Sequence, residues 1–122
     1  MAEVFARATL GPEDYDINTW TNIYQVKSSV TGALIFDIDI TNTTPMINDE
    51  TAGVDIEVQL RLVDRDGTLL HYILGPTILK QKGTSWTTSQ KIVMQPGDQL
   101  QVKATAKGLC TYVSMISSLK IL

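Results

Sequence analysis

Apolar and polar residues alternate with period two along most of the chain, which places successive side chains on opposite faces of a sheet. In residues 34–40 the even positions Leu34, Phe36, Ile38 and Ile40 are apolar, with Asp37 and Asp39 falling between them. In residues 54–62, Val54, Ile56, Val58, Leu60 and Leu62 share one phase, and Asp55, Glu57, Gln59 and Arg61 the other. Each segment is predicted to be a strand with one dry face and one wet face. Further strands are expected over residues 4–10, 21–27, 69–74, 85–94, 100–106 and 111–121, which makes about eight.

Turn residues fall between these segments. They are Gly11-Pro12-Glu13-Asp14, residues 28–32 and 43–53, Asp64-Arg65-Asp66-Gly67, Lys82-Gly83, Pro96-Gly97-Asp98 and Lys107-Gly108. Asp66-Gly67 is the clearest tight-hairpin signal. No window of ten or more residues sustains apolar positions at helical spacing, so at most a short helical turn is expected near residues 13–18. Strands with one apolar face must bury it against another sheet. The expectation is an all-β, two-sheet antiparallel β-sandwich of the Ig-like or jelly-roll kind. It forms a single domain over residues 1–122, with residues 1–20 an edge strand or an N-terminal arm lying on a neighbouring subunit.

Composition narrows the function classes. The chain has 122 residues, 43% hydrophobic and 19% charged, close to globular averages for one domain. Ten basic against thirteen acidic residues give a net charge of -3, which argues against a nucleic-acid partner, because phosphate neutralisation dominates that affinity. Apolar runs fall far short of the roughly 20 residues of a membrane helix. The lone Cys110 has no internal disulfide partner, and the first residues lack a secretory pattern, so synthesis and residence in a reducing cytoplasm are expected.

Catalytic chemistry has few candidates. His71 is the single histidine and sits between Leu70 and Tyr72 inside an apparent strand. Cys110 follows Gly108-Leu109 with no signal for a lowered pKa. No catalytic residue and no cofactor are assigned. Asp37, Asp39, Asp55 and Glu57 lie on the polar faces of two consecutive strands. If those strands pair, four carboxylates share one face, enough for a hard cation such as Ca²⁺ or for acid/base chemistry. The competing reading is an exposed acidic face balanced by Arg61, Lys91 or Lys103. Asp64-Arg65-Asp66-Gly67 lacks the distal ligands of a calcium loop and reads as a turn. Asn42-Thr43-Thr44 fits the glycosylation acceptor pattern but reads as a strand end. Trp20, Trp86, Tyr15 and Tyr24 serve either the core or an aromatic platform, with Tyr24 and Trp86 the residues assigned to a shallow carbohydrate or peptide site.

One order of features carries a family resemblance. It runs from Ile23-Tyr24-Gln25-Val26 through a small-residue turn to the segment at residues 33–44 ending Asn42-Thr43-Thr44. The strand at residues 54–60 and Gly75-Pro76-Thr77-Ile78-Leu79 follow, and Pro96-Gly97-Asp98 then opens a strand before a closing Tyr112-Val113-Ser114. Over residues 23–113 this resembles the small β-sandwich structural proteins of tailed-bacteriophage virions. The resemblance implies a non-enzymatic accessory subunit made in the host cytoplasm and located in the virion. Its place there would be the tail, neck or collar, or the head as decoration. It further implies a homo-oligomer that contacts other virion proteins, and carries no catalytic residues over. The surface-exposed apolar residues expected to serve such interfaces are Met46, Ile47, Trp20, Ile121 and Leu122. The alternative function is a lectin-like binding module.

Overall fold

The computed structural model of the chain describes residues 3–45 and 53–119. Through them run, in chain order, β1 (Glu3–Leu10), β2 (Thr21–Gln25), β3 (Val30–Asn42), β4 (Ile56–Val63), β5 (Leu69–Leu79), β6 (Ser85–Thr88), β7 (Ile92–Met94), β8 (Gln99–Ala104) and β9 (Leu109–Leu119). Five form one antiparallel sheet in the order β1-β9-β3-β6, with β7 also on β3, and four form a second in the order β2-β8-β4-β5. Ile35, Ile38, Ile40, Val113 and Met115 of the first sheet share one core with Ile56, Val58, Leu60, Leu100 and Val102 of the second. Each such side chain contributes roughly 1.5–3 kcal/mol by leaving water. The β-sandwich expected from the alternation is the fold observed. Counting β6 and β7 as one interrupted strand beside β3, the order of the two sheets is that of a jelly roll.

The interruption has a local cause. Between Ile35 and Asp37 the ladder of β3 against β9 shifts register, so Phe36 is an extra residue in β3. A one-residue insertion turns every later side chain to the other face. Ala33 and Ile35 are buried before the bulge, and Ile38, Ile40 and Asn42 after it. The expected common face of Leu34, Phe36, Ile38 and Ile40 is therefore corrected: Leu34 points away from the core. The neighbouring ladder breaks at the same point. Leu34 pairs with Val93 in β7, whereas Ile38 pairs with Thr88 in β6, so the single strand expected over residues 85–94 is split.

Other boundaries moved for equally local reasons. The strand expected over residues 54–62 begins at Ile56, because Val54 is exposed, its carbonyl accepts from Asn42 Nδ2 and its N–H donates to the Thr44 hydroxyl. The strand expected at residues 69–74 continues to Leu79 across an irregularity at Gly75-Pro76. β5 is an edge strand, where a proline that cannot donate to a ladder is tolerated and discourages a further strand from adding. Residues 3–10 form an edge strand against β9. The segment after them folds back onto the sandwich, where buried Tyr15 donates its hydroxyl to the Ala106 carbonyl at 2.6 Å.

Candidate assembly surface

The bulge at Phe36 decides what the outer face of the five-stranded sheet displays. Before it, Leu34 faces outward, and its cross-strand neighbours are Ile116 on one side and Val93 on the other. Ile116 is in turn opposite Phe5 on β1. Phe5, Ile116, Leu34 and Val93 thus form one straight apolar row across four strands. Its ends are open to water: Phe5 is 86% exposed and Val93 70%. Scattered exposed apolar residues are ordinary, but a contiguous row is the kind of patch that marks a contact surface. A shallow hollow of about 420 Å³, lined by Leu34, Val93 and Ile116 together with Gly32 and Gln95, lies along it.

After the bulge the same face turns polar. The next row holds Arg7, Ser114 and Asp37, and the one beyond it Thr9, Tyr112, Asp39 and Thr87. Asp37 accepts from the Ser89 hydroxyl at 2.8 Å and from Ser114 at 3.5 Å. A second hollow of about 380 Å³ borders this region, between Thr9, Asp14, Asp39, Cys110 and Tyr112.

The outer face of the four-stranded sheet is built differently. Asn22, Gln101, Arg61 and Tyr72 stand in register across all four strands. Arg61 Nε donates to Gln101 Oε1 at 2.8 Å, and Gln101 Nε2 to Asn22 Oδ1 at 2.9 Å. The Arg61 guanidinium lies 4.1 Å over the Trp20 ring, with Lys103 at 5.7 Å and the Tyr72 ring at 6.5 Å. Trp20 is thus half-buried beneath a cation rather than presented as a free apolar contact.

The candidate residues from the sequence are largely separated. Asp37 and Asp39 stand on β3 in the five-stranded sheet, while Glu57 on β4 and Asp55 just before it belong to the other, so the four carboxylates do not converge. Asp55 instead accepts from the Gln81 backbone N–H at 3.1 Å and from Lys80 at 3.3 Å. The Gln81 amide first, and Lys80 second, hold its carboxyl below the ordinary value. Among the described residues no group of three or more His, Cys, Asp or Glu is placed to hold a metal ion. His71 is exposed on the edge strand β5 and Cys110 half-buried on β9, in different sheets. Asp64 Oδ1 caps its own turn, accepting from the Asp66 and Thr68 N–H groups at 2.9 Å each.

Tyr24 and Trp86 both pack against the core, from opposite sheets, and make no common platform. Met46, Ile47, Ile121 and Leu122 lie outside the described residues. The sequence reading missed Phe5, Arg7, Leu34, Val93 and Ile116 as surface residues. The available signal was the loss of alternation: Ala33-Leu34-Ile35-Phe36, Ile92-Val93-Met94 and Val113 to Ile116 carry apolar residues in both phases. A strand that is apolar in both phases has two faces to cover.

No protein-family model matches this chain, and comparison with curated proteins finds no match.

Proposed function

We propose that this chain is a non-enzymatic structural subunit that assembles through the outer face of its five-stranded sheet. The class it fits best is an accessory protein of a bacteriophage virion, a subunit of the tail, neck or collar or a head decoration. The observation that carries this reading is the apolar row from Phe5 to Val93, left open to water on a rigid sheet. A free chain gains by covering such a row, and a sheet face presents it without the entropy cost of ordering a loop. Jelly-roll sandwiches serve as building blocks of viral shells and also as lectins, so the fold is compatible with this class by analogy and the surface carries the argument.

Light scattering after size exclusion at two concentrations tests the reading. A defined oligomer is expected, and Phe5→Ser combined with Val93→Ser is expected to reduce it to the mass of one 13.5 kDa chain while leaving the circular dichroism spectrum unchanged. A chain that is monomeric at both concentrations overturns self-assembly. The competing reading, a lectin-like platform, is supported by the Trp20–Tyr72 pair beside the amide row of the other sheet.

A further inference from the structure

We infer that the outer face of the five-stranded sheet packs against the same face of a second copy, about a two-fold axis parallel to the strands and between β9 and β3. This rests on the assembly reading above and names its partner and geometry. A two-fold interface must be complementary to itself, with residue i meeting j and j meeting i. Rotation about this axis reverses the order of strands while keeping each row at its own height. Phe5, at one end of the apolar row, then lies over Val93 of the second copy, and Ile116 over its Leu34. The most exposed ring, that of Phe5, meets the smaller Val93 at both ends, so the sheets need not splay.

The charges agree with the same axis. One row along, Arg7 stands on β1 and Asp37 two strands away on β3. Within one chain they are not joined: among the described residues the recorded ion pair is Lys80–Asp55. In the reversed second copy Asp37 falls over β9, one strand from Arg7, and neighbouring strands are about 5 Å apart. An arginine side chain spans that gap, so the contact is made twice by symmetry. In the third row Tyr112 falls over Asp39 of the second copy, offering a hydroxyl to the remaining carboxylate. A two-fold axis running across the strands would instead place Phe5 on Phe5 and leave Arg7 and Asp37 without opposite charges.

Cross-linking distinguishes these arrangements. In a Cys110→Ser background, Phe5→Cys and Val93→Cys are prepared as separate chains and treated with a short bismaleimide, alone and mixed. The expected result is a covalent dimer in the mixture and little from either chain alone. Efficient cross-linking of Phe5→Cys with itself overturns the axis. An oligomer seen by light scattering with no cross-link in the mixture leaves the assembly reading standing and overturns this pairing, and a monomer overturns both. Asp37→Arg is expected to weaken dimerisation at least tenfold, and adding Arg7→Asp to restore it. Failure of the double variant to recover, with its circular dichroism unchanged, overturns the charge pairing.

Discussion

Asn42 Nδ2, at the end of β3, donates to the Leu79 carbonyl at the end of β5, 2.9 Å away, so one side chain ties the five-stranded sheet to the four-stranded one. The same amide donates to the Val54 carbonyl at 2.8 Å, and Oδ1 accepts from the Thr44 N–H and hydroxyl at 3.0 and 2.7 Å. Asn42 is fully buried. Asn42→Ala leaves several of these groups without partners, each costing about 1–3 kcal/mol, and a loss of about 3 kcal/mol in urea unfolding is expected. Asn42→Asp should cost more, because a buried carboxylate would face two carbonyls. An unfolding midpoint that does not move in either variant refutes the tie.

The pattern Asn42-Thr43-Thr44 suggests a glycosylation acceptor, yet both hydrogens of the Asn42 amide are committed inside the protein. Expression of the folded chain in a glycosylating host is expected to leave Asn42 unmodified, and mass spectrometry of the tryptic peptide reads this directly. A glycan on the native protein would show that the amide is free in solution.

Tyr15 offers a test against pH. Its hydroxyl donates to Ala106 and accepts from the Leu109 N–H at 3.1 Å, and burial raises its pKa above the ordinary 10.0. Between the ordinary value and the raised one, the native state holds a proton that the unfolded chain has lost. Stability from this group is therefore intact below pH 10 and falls as pH rises through that window. Tyr15→Phe should cost about 1–2 kcal/mol at neutral pH and flatten the alkaline fall. Parallel pH profiles for the two proteins would contradict the assignment.

How much of this was legible in the sequence depended on whether one residue acted alone. The residue 54–62 alternation identified Ile56, Val58, Leu60 and Leu62 as core, because β4 keeps strict period two there. In β3 the same reasoning placed Leu34 inside, because the bulge at Phe36 depends on pairing with β9, more than 70 residues away in the chain. The outward row of Phe5, Leu34, Val93 and Ile116 draws one residue from each of four strands, and alternation within any one strand does not reveal their alignment. Trp20 likewise falls before β2, and only the register of β4 brings Arg61 over its ring.

Two glycines at positive φ separate backbone strain from collision. Gly108 has φ +115, and a Cβ there would run into the Thr44 methyl, while its carbonyl accepts from the Thr43 N–H and hydroxyl. Gly83 has φ +85 but open space around it. Gly83→Ala should cost only the backbone penalty of about 1–2 kcal/mol. Gly108→Ala should cost that and the displacement of Thr44, which belongs to the Asn42 network, for a total of about 3 kcal/mol or more. Equal losses in thermal unfolding would mean that Thr44 yields freely.

The outer face of the four-stranded sheet decides between structural subunit and binding module. A sugar stacks on an uncovered aromatic face, but one face of Trp20 is already occupied by Arg61 at 4.1 Å. In a Trp86→Phe background, which leaves Trp20 as the single tryptophan, Arg61→Ala should shift the tryptophan fluorescence to longer wavelength as water reaches the ring. The accompanying loss of stability should be about 1 kcal/mol, the usual worth of a partly exposed cation over a ring. Titration of the unaltered Arg61 protein with a panel of neutral and acidic oligosaccharides should leave the emission flat, because opening the ring requires breaking both the cation–ring contact and the Arg61–Gln101 hydrogen bond. A saturable change with one sugar class would mean that the ligand displaces Arg61, and would move the functional assignment from the five-stranded sheet to this one.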